Sequence, residues 1–125
     1  MTLSREEFES LVQSAYDSLP EQFQSNMENV QIVVDEAPTA EINARLGIRP
    51  PTVLLGLYEG IPLTKRGTSY GMYPVVPDKI SLFKHAIERS ADTREELRSA
   101  IQRVLIHEIA HYYGMNEEEV RAAGF

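Results

Sequence analysis

The chain has 125 residues, enough for one domain with little left over. A hydrophobic fraction of 42% supports one real core and argues against disorder. With 12 basic and 19 acidic residues the formal charge is −7, so there is no basic excess to displace counterions from DNA or another polyanion.

Cysteine is absent. Disulfides, thiolate zinc sites and cysteine nucleophiles fall away together, leaving His and carboxylates as the strong metal ligands. No apolar run approaches the ~20 residues that a membrane span needs. The expectation is a soluble, cytoplasmic, single domain over residues 1–125, with neither nucleic acid nor membrane as partner.

The first element is a helix. Ser4-Arg5-Glu6-Glu7 has capping-box spacing, Phe8, Leu11, Val12, Ala15 and Leu19 recur at helical intervals, and Pro20 stops the run. Val30 to Val34 is a short β-branched run and reads as a strand. Residues 35–51 contain three prolines and form a connection, with a helical turn around Thr39–Leu46. Val53–Tyr58 reads as a second strand, and its near-continuous apolar character suggests cover on both faces. From Glu59 to Pro77 three glycines and three prolines surround Tyr70 and Tyr73, the composition of a loop bordering a cleft. Lys79–Phe83 alternates like a third strand.

The last long helix carries the chemistry. Thr93-Arg94-Glu95-Glu96 has the spacing of a second capping box, and Leu97, Ile101, Val104 and Leu105 share a face. The pattern continues unbroken into His107-Glu108-Ile109-Ala110-His111, and Gly114 is the first residue able to end it. A short acidic helix over Glu117–Ala123 closes the sequence.

At 100° per residue His111 lies roughly 40° from His107, one turn along the same face. Two imidazoles so placed can aim nitrogens at one ion about 2.0–2.1 Å away. Glu108 falls on the adjoining arc, where it can take a proton from a water that zinc has acidified to a pKa of about 7. With 3 His and 15 Glu in the chain, H-E-x-x-H is expected by chance about 0.01 times, and here it sits inside a well-capped helix, the context that the motif requires.

Two ligands do not complete a site. Only 14 residues follow His111, too few for a ligand on a distant helix, but Gly114 permits a sharp turn and Glu117 lies three residues beyond it. The string H-E-x-x-H-x-x-G-x-x-E makes Glu117 the first choice, with Glu118 the competitor after a one-residue change in the turn. The acidic stretch can equally be a solvated first turn capped by Asn116. His85 follows the third strand and fits a surface or core position better than the site.

The string His107–Glu117 resembles the zincin metallopeptidases, specifically the small bacterial zincin-like family sometimes called mini-zincins. Leu54–Gly67 looks like that family's central block, and Asp78–Phe83 and His107–Gly114 look like its other two. The resemblance implies an α+β, minimal zincin-like fold: a small mixed β-sheet, a backing N-terminal helix and a C-terminal active-site helix. It also implies His107 and His111 as zinc ligands and Glu108 as general base. Larger relatives end the extended motif in His or Asp, where this chain has Glu117. They also carry a methionine turn downstream, whereas the last methionine here is Met115, so an aromatic such as Tyr113 would support the site instead.

Two functions follow. One is a peptidase with one zinc per chain acting on a peptide or protein, with oxyanion help from Tyr112, Tyr113 or Tyr70. The other is a zincin-fold module that binds metal or protein and turns nothing over. Self-association into a homodimer is left open.

Overall fold

A computed structural model describes residues 1–25, 27–67, 70 and 77–125. Tyr73 and much of the expected cleft-bordering loop lie outside the described residues.

Helix α1 (Arg5–Asp17) starts with a complete capping box: Ser4 Oγ accepts from the Glu7 amide while the Glu7 carboxylate accepts from the Ser4 amide. Its stripe of Phe8, Leu11, Val12 and Ala15 is buried. A 3-10 turn at Glu21–Phe23 leads to strand β1 (Val30–Asp35). The turn expected near Thr39 is helix α2 (Ala40–Leu46), capped by the Thr39 hydroxyl and ended by Gly47 in the left-handed region.

Strand β2 (Gly56–Glu59) is shorter than its apolar run suggests. It is an edge strand, because the sheet order is β1-β3-β2 around the central β3 (Asp78–Phe83). The expected cover on both faces is therefore corrected: Val53 is 57% exposed, and the apolar residues before Gly56 line a cleft. β1 pairs with β3 in parallel and β2 pairs with it antiparallel, so the sheet is mixed. β3 runs directly into α3 (Lys84–Arg89), a helix with no side-chain cap and no breaker in front of it, which explains why its start leaves no mark in the sequence.

Helix α4 (Arg94–Tyr112) spans 19 residues, about 28 Å at 1.5 Å per residue. Thr93 accepts from the Glu96 amide, one half of the expected capping box. One face of α4, with Leu97, Ile101, Leu105 and Ile109, joins the α1 stripe and Ile80 and Leu82 of β3 in a continuous core. α4 also packs across β2 and β3, and this second contact builds the site. Helix α5 (Glu117–Ala122) follows within five residues of α4.

Candidate metal centre

The turn after α4 does most of the positioning. Gly114 has φ +100°, a left-handed value that a residue with a side chain adopts only under strain. Its amide donates to the His111 carbonyl and the next amide, Met115, donates to the Ala110 carbonyl, the paired bonds of a Schellman motif. A Cβ at Gly114 would also collide with Thr64 Oγ1, so the 3-10 turn at Leu63–Lys65 braces this bend from outside.

The reversed chain starts α5 beside the end of α4. Asn116 caps α5 in a full capping box with Glu119, and Glu117 is the first helical residue. Both sequence readings of the acidic stretch therefore coexist. Glu117 belongs to a capped acidic first turn, and its carboxylate still points back at α4.

Glu117 Oε2 lies 3.3 Å from His107 Nε2 and 3.3 Å from His111 Nε2, with Oε1 2.6 Å from His107 Nε2. Among the described residues these three form a group whose ligand atoms lie within 4.8 Å of one another. Glu118 is exposed and outside it. Ligands on bonds of about 2.0–2.1 Å around tetrahedral zinc stand roughly 3.3 Å apart, so the spacing suits the ion.

The histidine tautomers point the same way. His111 Nδ1 is 2.9 Å from the Met115 carbonyl oxygen, which can only accept, so Nδ1 carries the proton. His107 Nδ1 faces the Phe125 carbonyl oxygen at 3.4 Å. Both Nε2 atoms then face one carboxylate, so that an ion between them, or the proton of an imidazolium, would be held by all three side chains. The donor set of two imidazoles and one carboxylate with an open side fits zinc. Burial pulls the Glu117 carboxyl upward, but the neighbouring His107 and His111 outweigh it and hold it below the ordinary carboxylate range.

Glu108 occupies a different environment. It is 7% exposed, in the contact between α4 and β2. Burial pushes its carboxyl up, against the opposing pull of His107, His111 and a hydrogen bond from the Tyr58 backbone amide. The strand can come this close because residue 56 is glycine: a Cβ there would lie 2.6 Å from Val104 Cγ1 and 3.3 Å from Glu108 Cγ.

A cleft of about 1070 Å³ runs over this centre, between α4 and the chain from Thr52 to Tyr58. His107, Glu108, His111 and Glu117 line it. The tyrosines named from sequence do not line it. Tyr112 is fully buried with its hydroxyl bonded to the Glu28 backbone, and Tyr113 packs its ring against Tyr112 and the core. The Tyr70 hydroxyl accepts from Asn29, and His85 is an exposed residue 2.9 Å from Glu36.

Sequence reasoning missed Tyr58 and its supports. The Tyr58 hydroxyl donates to Asp78, which is 2% exposed and also accepts from the Ile61 amide and, at 2.8 Å, from Arg66. Arg66 in turn donates to the Ile61 and Glu28 carbonyls and lies over the Tyr70 and Tyr112 rings. An arginine in a glycine-rich stretch and an aspartate opening a strand were the available signals, but nothing in their spacing pairs them.

No described helix is long and apolar enough to cross a membrane. No curated protein matches the chain. A conserved hypothetical protein from Thermus thermophilus has a similar fold, with a TM-score of 0.54 at 18% identity over 98% of this chain and 100% of that one. The family model described as zincin-like metallopeptidase matches residues 27–124, a span that includes the whole sheet, all of the cleft lining but Phe125, and all three converging side chains. A match over that much of the sequence shows that the chain belongs to the zincin-like metallopeptidase family.

Proposed function

We propose that the protein is a peptidase that uses one zinc ion per chain, held by His107, His111 and Glu117, with Glu108 as general base. The observation that carries this reading is the pairing of a buried carboxyl with a three-ligand group at the floor of one open cleft. Zinc in such a site supplies Lewis-acid polarisation of a carbonyl and acidifies water.

The chain's own residues do the rest. Glu108 is carried by the same helix turn as both histidines, so the proton acceptor and the ligands are fixed relative to one another. Its raised pKa suits a group that must take a proton from water and then give it to the leaving amine as the C–N bond breaks. The Tyr58 amide holds the carboxylate from the β2 side and leaves its other lone pairs for that exchange. Tyr113, packed against Tyr112 at the end of α4, supports the ligand turn from the core side. The open cleft along an edge strand suits an extended peptide, and the acidic, cysteine-free composition agrees with a cytoplasmic setting.

Glu108→Gln is the test. It keeps size and hydrogen bonding but removes the base, so turnover of a peptide library should fall by roughly 10²–10⁴-fold while zinc stoichiometry stays at that of the unmodified chain. Zinc binding by the unmodified chain with no cleavage of any peptide would sink the peptidase assignment and leave a metal-binding zincin module.

A further inference from the structure

The cleft continues past the metal centre toward the start of α4. β2 and α4 run alongside one another, because Gly56 lies against Val104 and Glu108 and the Tyr58 amide bonds to Glu108. Leu54 and Leu55 precede this contact and line the same cleft as Arg103, which is adjacent to Val104 on α4. There the wall is apolar: Leu46, Ile48, Val53 and Leu54 line it, and Leu46 and Val53 are 42% and 57% exposed. Large apolar side chains left open beside a cleft mark a surface that a ligand covers.

Arg103 is an exposed residue that lines the same cleft. It is four residues before His107 on the same helix, so roughly 6 Å along the axis from the first ligand. Of the basic residues that line the cleft, Arg121 lies 3.9 Å from Glu117, while Lys65 stands at the far end beside the Gly114 turn, in a chain with seven more acidic than basic residues. Arg103 has no ion-pair or hydrogen-bond partner among the described residues, although it lines the cleft. The carboxylates that line the cleft with it, Glu108 and Glu117, are occupied by Tyr58 and the two histidines. A guanidinium in this position offers a fork of donors to a carboxylate brought by the substrate.

The geometry points to Arg103 as a specificity residue that binds a carboxylate on the peptide substrate, next to an apolar side chain seated against Leu46, Ile48, Val53 and Leu54. The carboxylate can come from a glutamate or aspartate side chain or from the peptide's own C-terminus. This inference rests on the peptide-cleft reading above, but it is read on affinity, whereas that reading stands or falls on turnover.

The test uses zinc-loaded Glu108→Gln full-length chain and blocked octapeptides carrying Leu-Glu, compared with the same peptides carrying Leu-Gln. Each is made as the C-terminal acid and as the amide, and Kd is measured by fluorescence anisotropy. The expected result is at least about tenfold tighter binding for one carboxylate form over its neutral counterpart, the size of a charge-assisted, bidentate pair. A side-chain source shows as Glu over Gln in the amides, and a terminal source as acid over amide with Gln. Adding Arg103→Gln should reduce either ratio to near one, with zinc stoichiometry unchanged as the check on folding. Equal binding of charged and neutral peptides, or a preference that survives Arg103→Gln, overturns the proposal.

Discussion

At the scale of single residues the site is set by what is missing from a side chain as much as by what is present. Gly56 has no unusual backbone angle; its role is to let β2 approach α4. A methyl group added there would lie 2.6 Å from Val104 Cγ1 and 3.1 Å from the Ser81 carbonyl oxygen. The sheet cannot yield, since Gly56 is paired with Leu82 in the ladder. Overpacking of this kind costs about 1–3 kcal/mol, so Gly56→Ala should lower stability by that amount in urea denaturation. Val104→Ala removes the atom in the way. The double variant should therefore lose less stability than the sum of the two single variants, and strict additivity would show that the approach is not what glycine serves. Because Glu108 Cγ shares the same contact, the single variant should also disturb Glu108, the proposed proton acceptor, seen as lower turnover at full zinc occupancy.

At the scale of elements, the 3-10 turn that braces Gly114 and the strand that holds Glu108 are joined by one buried network. Arg66 and Asp78 have side chains 6% and 2% exposed. Removing the arginine strands the aspartate, which costs about 3–5 kcal/mol for a buried pair. Arg66→Ala should show that loss in denaturant titration, together with weaker zinc binding if Thr64 no longer supports the turn. The same network raises the Tyr58 phenol well above its usual range, through burial first and then the hydrogen bond and charge of Asp78. The folded state thus prefers neutral Tyr58. Its contribution is complete below the unfolded phenol pKa of about 10, and is lost as pH rises from there through the higher folded value. Unfolding free energy should fall more steeply above that pH in the unmodified chain than in Tyr58→Phe. Equal slopes would mean that Tyr58 ionises freely. This network also marks the limit of what the sequence makes legible. The α4 motif, the capped ends of α1 and α2, and the glycine turn toward Glu117 all depend on residues within one or two turns of each other, so spacing reveals them. Arg66 and Asp78 are twelve apart across irregular chain, and Tyr58 and Glu108 fifty apart, so only the fold joins them. The β2 edge escapes a reading by pattern for a related reason: Val53–Leu55 is as apolar as a buried strand, but its apolar groups face a cleft.

At the scale of the whole molecule, the candidate metal centre and the core depend on the same helix. α4 contributes Leu97, Ile101, Leu105 and Ile109 to the core and His107, Glu108 and His111 to the cleft. Glu117 comes from α5, which otherwise attaches to the body through the fully buried Val120 and a few further contacts. A cation bridging α4 and α5 would therefore close the end of the chain onto the core, and its binding free energy would add to folding stability. An ion at 1,000 times its Kd stabilises by about 4 kcal/mol, and about 1 kcal/mol moves Tm by roughly 2–8 °C in a domain of this size class. Zinc should raise Tm by at least about 8 °C over chain stripped with EDTA. Glu117→Gln should keep the stripped Tm and lose most of the rise, since it removes the ligand charge that joins the helices but little packing. His111→Ala should abolish the rise. Hydrogen exchange locates the effect: added zinc should slow the α5 amides, whose opening releases the ion, along with core amides that exchange by global unfolding, and leave unchanged those that open locally away from the site. A Tm indifferent to zinc, or α5 amides that exchange as fast with zinc as without it, would refute the view that the three side chains form one metal centre linking the last two helices.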